Sequence, residues 1–480
     1  MSATSSETIH RNHFYILVLS TIAAIAGLLF GFDTGVISGA LQFIVDTFHI
    51  IAPSATLTPT YSVFGLFSVN GTTIQEVIVS AVPAGALIGA ILSSFLSNAF
   101  GRRGGIITTA VLFIIGTLFA ATAVNTDMLI IGRLIMGFAV GLSATIAPMY
   151  LSEVSPPDIR GMVVFLFQMA ITVGILSAFI VNFLFHINGN WRAMFLVGLA
   201  PSVLLFVGML FLPESPRWLV LKGKHEKAHD ALHKLRGHEA VSGEVAEIKE
   251  SIRNAKGNFR TLFSKRLRPL VFITFGLFVF QQFTGINTIF YYAPTLFKAA
   301  GFEGSTSQIL ALVSTGAINV FATIFGVWFI DRLGRRKLLY VGLVGIILCQ
   351  LIMGAAYHQL LGTDIRWLTL FSSLALIVFF AFSMGGIPYI MMSELFPLNM
   401  RAGGMAVASC ANWGFNILVS ATFLTIVDTF GFGNAYWLYA FLTFLGLIFA
   451  ISLIPETKNR TLEHIEKNLY AGKKPRDLGN

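Results

Sequence analysis

The chain has 480 residues, of which 55 % are hydrophobic and only 11 % are charged, and its formal net charge is +9. This composition excludes an ordinary soluble domain, in which about a quarter of the residues are charged. A positive charge confined to the ends of apolar segments gives little support to nucleic-acid binding.

Apolar stretches that could cross a bilayer recur along the whole chain, and each crossing needs about 20 residues as a helix. The runs are continuous and do not alternate with polar residues, which favours helices over barrel strands. The predicted spans are 14–45, 75–99, 105–126, 128–151, 161–187, 192–212, 269–298, 307–330, 338–359, 366–392, 403–428 and 435–454. The expected fold class is therefore an all-α membrane protein with twelve transmembrane helices.

The basic residues predict how these spans are oriented. With a cytoplasmic N-terminus, 28 of the 32 Lys and Arg residues fall on the cytoplasmic side. Arg192, Lys298 and Arg366 fall on the other side, and Arg133 lies within a span. The positive-inside rule thus predicts a multi-pass protein of the inner (plasma) membrane with both termini in the cytoplasm. The first apolar segment lacks the cleavage site of a signal peptide.

The charged residues between the spans are duplicated. The repeated strings are Gly101-Arg102-Arg103 with Gly334-Arg335-Arg336, Glu153 and Arg160 with Glu394 and Arg401, and Pro213-Glu214 with Pro455-Glu456. The offsets of 233, 241 and 242 residues predict two homologous halves. We expect an N-terminal six-helix bundle at 1–213, a cytoplasmic linker with short helices at 214–268, a C-terminal six-helix bundle at 269–455 and a cytoplasmic tail at 456–480.

The duplicated charges themselves predict a function. Acidic and basic residues occupy the same place in both halves, which favours a gating network of ion pairs that open and close. Simple topological anchoring is the alternative. The candidate network residues are Arg102, Arg103, Glu153, Arg160, Arg335, Arg336, Glu394 and Arg401.

Several short strings carry a resemblance to a known family. They are Gly31-Phe32-Asp33-Thr34-Gly35, Gln281-Gln282-Phe283-Thr284-Gly285-Ile286-Asn287, Tyr291-Tyr292-Ala293-Pro294, Asp331-Arg332-Leu333-Gly334-Arg335-Arg336, Pro213-Glu214-Ser215-Pro216-Arg217-Trp218 and Pro455-Glu456-Thr457-Lys458. Together they resemble the sugar porter family of the major facilitator superfamily over about residues 14–475. The strings 281–294 and 461–466 are most similar to bacterial galactose–proton and arabinose–proton symporters. The resemblance implies two six-helix bundles around a central sugar site reached by alternating access, in agreement with the duplication.

Asp33 lies in the middle of the first predicted span, where a carboxylate is costly and usually functional. Its expected partner is Arg133 in the fourth span. Burial favours the neutral acid, whereas an approaching Arg133 favours the carboxylate, so a movement of the pair would load and release a proton. The resemblance also implies a proton site at Asp33. A static ion pair that only holds helices together is the alternative.

The seventh span presents polar and small groups on one face, among them Gln281 and Tyr291. Hydroxyl and amide groups on one side suit a polyol, because each sugar hydroxyl donates and accepts hydrogen bonds. Gln282 and Asn287 leave that face in a straight helix, but a bend at Gly285 would bring them in. The resemblance implies that both glutamines and Asn287 line a sugar site, whereas interhelical bridging is the alternative.

The resemblance adds sugar contacts on other spans and shows three departures from the family pattern. The full set of candidate substrate-binding residues is Gln168, Gln281, Gln282, Asn287, Tyr291, Gly385, Tyr389, Asn412, Trp413, Phe30 and Phe380. Tyr389 replaces the usual tryptophan, and Ile175 replaces a glutamine. Asn98 stands where the second half has Asp331, which predicts a weaker ion network in the first half. Gly385, Gly386 and Pro388 would break the tenth span.

These features predict a proton-coupled monosaccharide symporter for a hexose or pentose, acting by alternating access. A facilitative uniporter with the same site is the near alternative, and a membrane sugar sensor is a more distant one. No nucleophile–base pair, metal-ligand cluster or phosphate loop appears in the sequence, so we expect no enzymatic activity, cofactor or metal. The expected partners are the sugar, protons and the lipid bilayer, with no nucleic acid, and we expect a monomer.

Overall fold

The described part of the chain folds almost entirely into helices, with one small sheet. The computed structural model describes residues 3–51, 59–156, 159–236, 241–254, 259–265, 267–362, 364–396, 400–458 and 462–479. The helices are α1 (Ala3–Thr47), α2 (Gly71–Ala121), α3 (Thr126–Val154), α4 (Arg160–Phe185), α5 (Trp191–Leu196), α6 (Leu199–Phe211), α7 (Pro216–Leu221), α8 (His225–Arg236), α9 (Val241–Asn254), α10 (Arg268–Phe283), α11 (Ile286–Ala299), α12 (Ser305–Leu333), α13 (Arg335–Tyr357), α14 (Ile365–Ala381), α15 (Ile387–Leu395), α16 (Arg401–Ser420), α17 (Phe423–Leu453) and α18 (Leu462–Tyr470). The strands are β1 (Thr60–Val63) and β2 (Phe67–Asn70), and short 3₁₀ turns occur at Phe259–Phe263 and Pro475–Asp477.

These helices make the twelve predicted crossings, although several are bent or broken. Among the described residues, nine helical segments are long and apolar enough to cross a membrane. One of them, α2, is bent at Gly101 and contains two predicted spans. The remaining crossings are the shorter α14 with α15, which make the tenth span, and α16, which makes the eleventh. α17 is bent at Gly431 (φ +78°), as α2 is at Gly101, so its first residues extend the eleventh span beyond α16 and the rest makes the twelfth, in agreement with the predicted boundary between 428 and 435.

The sheet is a hairpin in the interval 46–71, for which the sequence predicts no element. β1 and β2 pair antiparallel, with Thr60 opposite Asn70 and Val63 opposite Phe67. Phe64 and Gly65 make the turn with positive φ angles. We call the side of the helices that carries this sheet the hairpin end. The opposite side, which carries Arg102, Arg103, Arg335 and Arg336, is the charged rim.

Small residues let the long helices approach closely. A Cβ atom at Gly31 of α1 would lie 1.9 Å from the carbonyl oxygen of Ile171, and one at Gly174 of α4 would lie 2.1 Å from that of Leu28. Helix pairs in membranes favour such small residues because they permit backbone contact. The contact between α1 and α4 fixes Asp33, which lies two residues after Gly31, in the interior of the helices.

The linker and the tail form short helices against the charged rim. Ala228, Leu232 and Leu235 are fully buried on one face of α8, one of the short helices expected in the linker. In the tail, Ile465 and Leu469 of α18 are buried in the apolar core of the last six spans. Both segments therefore pack on the protein, in agreement with their apolar residues at helical spacing.

Candidate functional site

The deepest charged pair is Asp33 of α1 with Arg133 of α3. Each residue is only 1 % exposed, and Arg133 Nη1 lies 3.9 Å from Asp33 Oδ1. The distance is too long for a hydrogen bond. Within the described part of the chain, neither Asp33 oxygen accepts a hydrogen bond. The carboxyl is thus buried next to one cation without being fixed by it.

Other groups hold Arg133 in place. Its Nε donates a 2.8 Å hydrogen bond to the carbonyl oxygen of Ile78 on α2, and its Cζ lies 5.9 Å from the ring centroid of Phe195 on α5. Arg133 Nη1, by contrast, has no hydrogen-bond partner among the described residues. The guanidinium is therefore anchored through Nε, while Nη1 on the side of Asp33 can still form a hydrogen bond with the carboxylate.

A break in the seventh span brings three amides together. Gly285 adopts a left-handed conformation (φ +68°) between α10 and α11, which confirms the predicted bend. Asn287 Nδ2 then donates a 2.6 Å hydrogen bond to Gln282 Oε1 across the break. Gln282 Nε2 lies 3.5 Å from Gln281 Oε1. The bend therefore brings the side-chain amides of Gln282 and Asn287 into contact, whereas a straight helix would point them in different directions.

The amide chain continues onto the last spans. Gln281 Nε2 donates to the carbonyl oxygen of Met384 at 2.6 Å, and Gln281 Oε1 accepts from Asn412 Nδ2 at 2.7 Å. Asn412 also lies 3.3 Å from the hydroxyl of Tyr389. We call Gln281, Gln282, Asn287 and Asn412 the amide cluster. It joins α10, α11 and α16 to the segment between α14 and α15.

Tyr389 borders the amide cluster from the broken tenth span. α14 ends at Ala381 and α15 begins at Ile387, so Gly385 lies in a non-helical connection, as the sequence predicts. The ring of Tyr389 meets Phe278 edge to face at 4.9 Å, and 45 % of the residue remains accessible. The tyrosine thus combines an accessible ring with a hydroxyl directed at Asn412.

The remaining candidate substrate residues are placed less uniformly. Phe30 of α1 contacts Trp413 of α16 with ring centroids 5.5 Å apart, which brings the first and last spans together. Phe380 is half-buried near the end of α14. Gln168 is half-buried on α4 and makes no hydrogen bond within the described ranges. Its unused amide contrasts with the bonded amides of the cluster.

Tyr291 and Tyr292 lie beyond the break on α11. The hydroxyl of Tyr291 is 3.5 Å from Asn416 Oδ1, and that of Tyr292 donates to the carbonyl oxygen of Ser420 at 2.7 Å. α11 also packs against α1, the helix that carries Asp33. α11 therefore links the Asp33–Arg133 pair of the first spans to α16 of the last spans.

At the charged rim, the first half has a two-point ion pair. Arg102 Nε and Nη2 donate to the two carboxylate oxygens of Glu153 at 2.9 and 3.1 Å. Glu214 Oε1 accepts from the backbone N–H groups of Arg102 and Arg103 at 2.9 and 3.0 Å. The carboxylate thereby caps the helical segment that follows the bend at Gly101, where a negative charge is stabilising.

The second half repeats this arrangement. Arg335 Nη2 donates to Glu394 Oε1 at 2.8 Å. The two oxygens of Glu456 accept from the backbone N–H groups of Arg335 and Arg336, both at 3.1 Å. Gly334 precedes them with φ +86°. The duplicated sequence thus builds a duplicated cap and ion pair, and the residues 214 and 456, noted only as repeat markers, supply the caps.

Two candidate network residues stand apart. Arg160 is exposed at the start of α4 and contacts no acidic residue in the described part of the chain. The side chain of Arg401 lies outside the described residues, as does that of Asp331. The expectation of a weaker first-half network therefore stays a prediction.

One buried carboxylate escaped prediction. Glu76 is only 1 % exposed and binds α17 at the hairpin end. Its position, second in a predicted span, is typical of a residue at the water boundary. What distinguishes Glu76 from such a residue is its hydrogen bond to Thr425, which lies about 350 residues away in sequence.

The sequence and the fold match known proteins over nearly the whole chain. A family model described as sugar (and other) transporter matches residues 19–469. The chain belongs to this sugar transporter family. Its sequence is 37 % identical to the arabinose-proton symporter of Escherichia coli strain K12, covering 100 % of this chain and 98 % of that protein. It is 38 % identical to the galactose-proton symporter of the same strain, covering 95 % of each.

A solved structure of a sugar transporter has the same architecture. The inward-open conformation of the xylose transporter XylE from E. coli aligns with a TM-score of 0.80 at 30 % identity, over 94 % of this chain and 99 % of that one. The fold is therefore the twelve-helix fold of the major facilitator superfamily, made of two six-helix bundles. This finding confirms the predicted fold class.

Proposed function

We propose that the chain is a proton-coupled symporter that imports a monosaccharide, hexose or pentose, by alternating access. The buried Asp33–Arg133 pair carries the proposal, because its carboxyl lacks hydrogen bonds and faces a cation at 3.9 Å. A carboxyl group that served only to hold helices together would accept hydrogen bonds from donors on those helices. The names of similar proteins, which are proton symporters for arabinose and galactose, support the same function.

The amide cluster is the proposed sugar site. Its four amides can exchange their mutual hydrogen bonds for bonds to sugar hydroxyls, which donate and accept equally well. Tyr389, Phe30, Phe380 and Trp413 supply aromatic surface beside it, and Gly385 lets Tyr389 approach. Gln168 and Tyr291 complete the set, and the unused amide of Gln168 suits a ligand.

The proton and the sugar are coupled through α11. A proton on Asp33 Oδ removes the charge that attracts Arg133, and Arg133 then rests on its bond to Ile78. Loss of the proton restores the attraction and draws α1 and α3 together. Because α11 packs against α1 beside this pair and continues from the amide cluster, the movement changes which end of the site is open.

The proposed organisation follows the duplication. Residues 1–213 and 269–455 form the two bundles, 214–268 the cytoplasmic linker and 456–480 the cytoplasmic tail. The charged rim faces the cytoplasm of the inner membrane, with both termini on that side, because the basic residues concentrate there. We further propose that the protein acts as a monomer and performs no enzymatic reaction, in line with its family of transporters.

Replacement of Asp33 by asparagine tests the coupling. In vesicles, Asp33→Asn should abolish uphill sugar accumulation driven by a proton gradient and keep sugar counterflow, because only the proton carrier is lost. Asp46→Asn is the matched control, since Asp46 is an exposed carboxylate on the same helix. Full accumulation by Asp33→Asn would refute Asp33 as the proton carrier, whereas an unmutated protein that equilibrates the sugar without accumulating it would refute symport and favour the uniporter. A panel of labelled hexoses and pentoses in the same vesicles identifies the substrate.

A further inference from the structure

A second buried carboxylate lies at the hairpin end of α2, two residues before Ile78, whose carbonyl oxygen binds Arg133. Glu76 of α2 is 1 % exposed. Its Oε1 accepts a 2.7 Å hydrogen bond from the backbone N–H of Thr425, and its Oε2 accepts a 2.7 Å bond from the Thr425 hydroxyl. The carboxylate of one bundle is thus held at both oxygens by a single residue of the other.

A neighbouring bond reinforces this contact. The hydroxyl of Thr72 donates to Asp428 Oδ2 at 2.6 Å. Thr72 and Glu76 are four residues apart on α2, while Thr425 and Asp428 are three apart on α17, so each pair shares one helix face. The two faces therefore meet in a matched set of hydrogen bonds, which we call the clasp.

The clasp differs from the charged rim in what it connects. It joins the first bundle to the second, whereas the rim ion pairs Arg102–Glu153 and Arg335–Glu394 each join residues of one bundle. A further hydrogen bond between the bundles joins His186 Nε2 and Thr306 Oγ1 at 3.0 Å and lies at the hairpin end as well. Opening the central site at the hairpin end requires these bonds to break, whereas the rim pairs survive a separation of the bundles.

We propose that Glu76 and Thr72 are gating residues that hold the hairpin end of the pathway shut, and that the clasp opens once in every transport cycle. This inference rests on the proposed function, because only an alternating-access carrier must open at that end. Glu76 acts on access to the site and not on the sugar itself. Hydrogen bonds to a charged group stabilise by about 1.5–3 kcal/mol, so removal of one favours the open form about tenfold or more.

Spin labels at the hairpin end measure the opening directly. We choose Val124, exposed between α2 and α3, and Leu360, exposed after α13, because they lie on different bundles. Both are changed to cysteine and labelled in a full-length chain whose native Cys349 and Cys410 are alanine. Pulsed electron paramagnetic resonance in lipid nanodiscs then gives the distribution of distances between the two labels.

The variants weaken the hydrogen bonds of the clasp to different degrees. Glu76→Ala and Thr72→Val should each raise the ratio of long to short distances about tenfold, while Glu76→Gln, which keeps one acceptor oxygen, should have a smaller effect. Thr73→Val is the matched control and should leave the distribution unchanged, because the Thr73 side chain takes no part in the clasp. An unchanged distribution in both Glu76→Ala and Thr72→Val would overturn the proposal. If Glu76→Ala fails to fold, the distance distribution of the nearly isosteric Thr72→Val variant tests the proposal by itself.

The distance measurement needs neither sugar nor a proton gradient, so its failure is distinct from failure of the proposed function. A clasp that opens as expected in a protein that accumulates no sugar would refute the symport proposal alone. Uphill transport with unchanged distances would refute only the clasp.

Discussion

The bend at Gly101 allows a quantitative prediction for Gly101→Ala. Gly101 has φ +89° and ψ 174°, a conformation that other residues adopt at a cost of about 1–3 kcal/mol. An added Cβ would lie 2.1 Å from Glu214 Oε2, so the carboxylate must move. Loss of one of its bonds to the backbone N–H groups of Arg102 and Arg103 costs about 2 kcal/mol more. We expect a total destabilisation of about 4 kcal/mol.

Thermal unfolding of the purified protein in detergent measures this loss. We expect the Tm of Gly101→Ala to fall by about 10 °C, since 1 kcal/mol shifts the Tm of large domains by about 2–4 °C. Gly161→Ala is the control, because Gly161 is exposed on α4 and an added Cβ there has no atom within 4 Å. Gly334→Ala should fall between the two, with its Cβ 2.8 Å from Glu456. A Gly101→Ala protein as stable as Gly161→Ala would refute the reasoning.

Three further substitutions address the site and the rim. Gly285→Ala should lower stability by about 1–2 kcal/mol and weaken sugar binding, because the left-handed break is costly for alanine; calorimetric titration that gives unchanged affinity would contradict this. Asn412→Ala should weaken sugar binding about tenfold, since it removes a sugar-binding amide and leaves Gln281 Oε1 with only its longer contact to Gln282; an unchanged counterflow KM would exclude Asn412 from the site. Arg102→Lys should lower the Tm by a few degrees, because lysine cannot make the two-point contact with Glu153; an equal Tm would show that the contact adds no stability.

The sequence was most informative where one physical constraint acts alone. Bilayer thickness demands long apolar helices, so the twelve crossings follow from the apolar runs. The break at Gly285 was also predictable, because a glycine among amides on opposite faces of one span suggests a bend. Asp33 and Arg133 were paired correctly since intramembrane charges rarely lie alone.

The sequence was least informative where distant segments meet. Glu214 and Glu456 were visible as repeat markers, but their capping role depends on the chain returning to the bends at Gly101 and Gly334. Glu76 gave no signal, because a carboxylate near a span end costs little by itself. The β1–β2 hairpin was missed because its eight strand residues are too few for a clear alternating pattern.

The mutual hydrogen bonds of the amide cluster have a thermodynamic consequence for the proposed sugar site. Gln281, Gln282, Asn287 and Asn412 already satisfy one another, so a ligand replaces existing bonds instead of filling unmet ones. The net gain from each exchanged bond is small, although a ligand that leaves one amide unmatched incurs the full desolvation penalty. Such a site discriminates strongly while binding weakly, which suits a carrier that must release its cargo as readily as it takes it up.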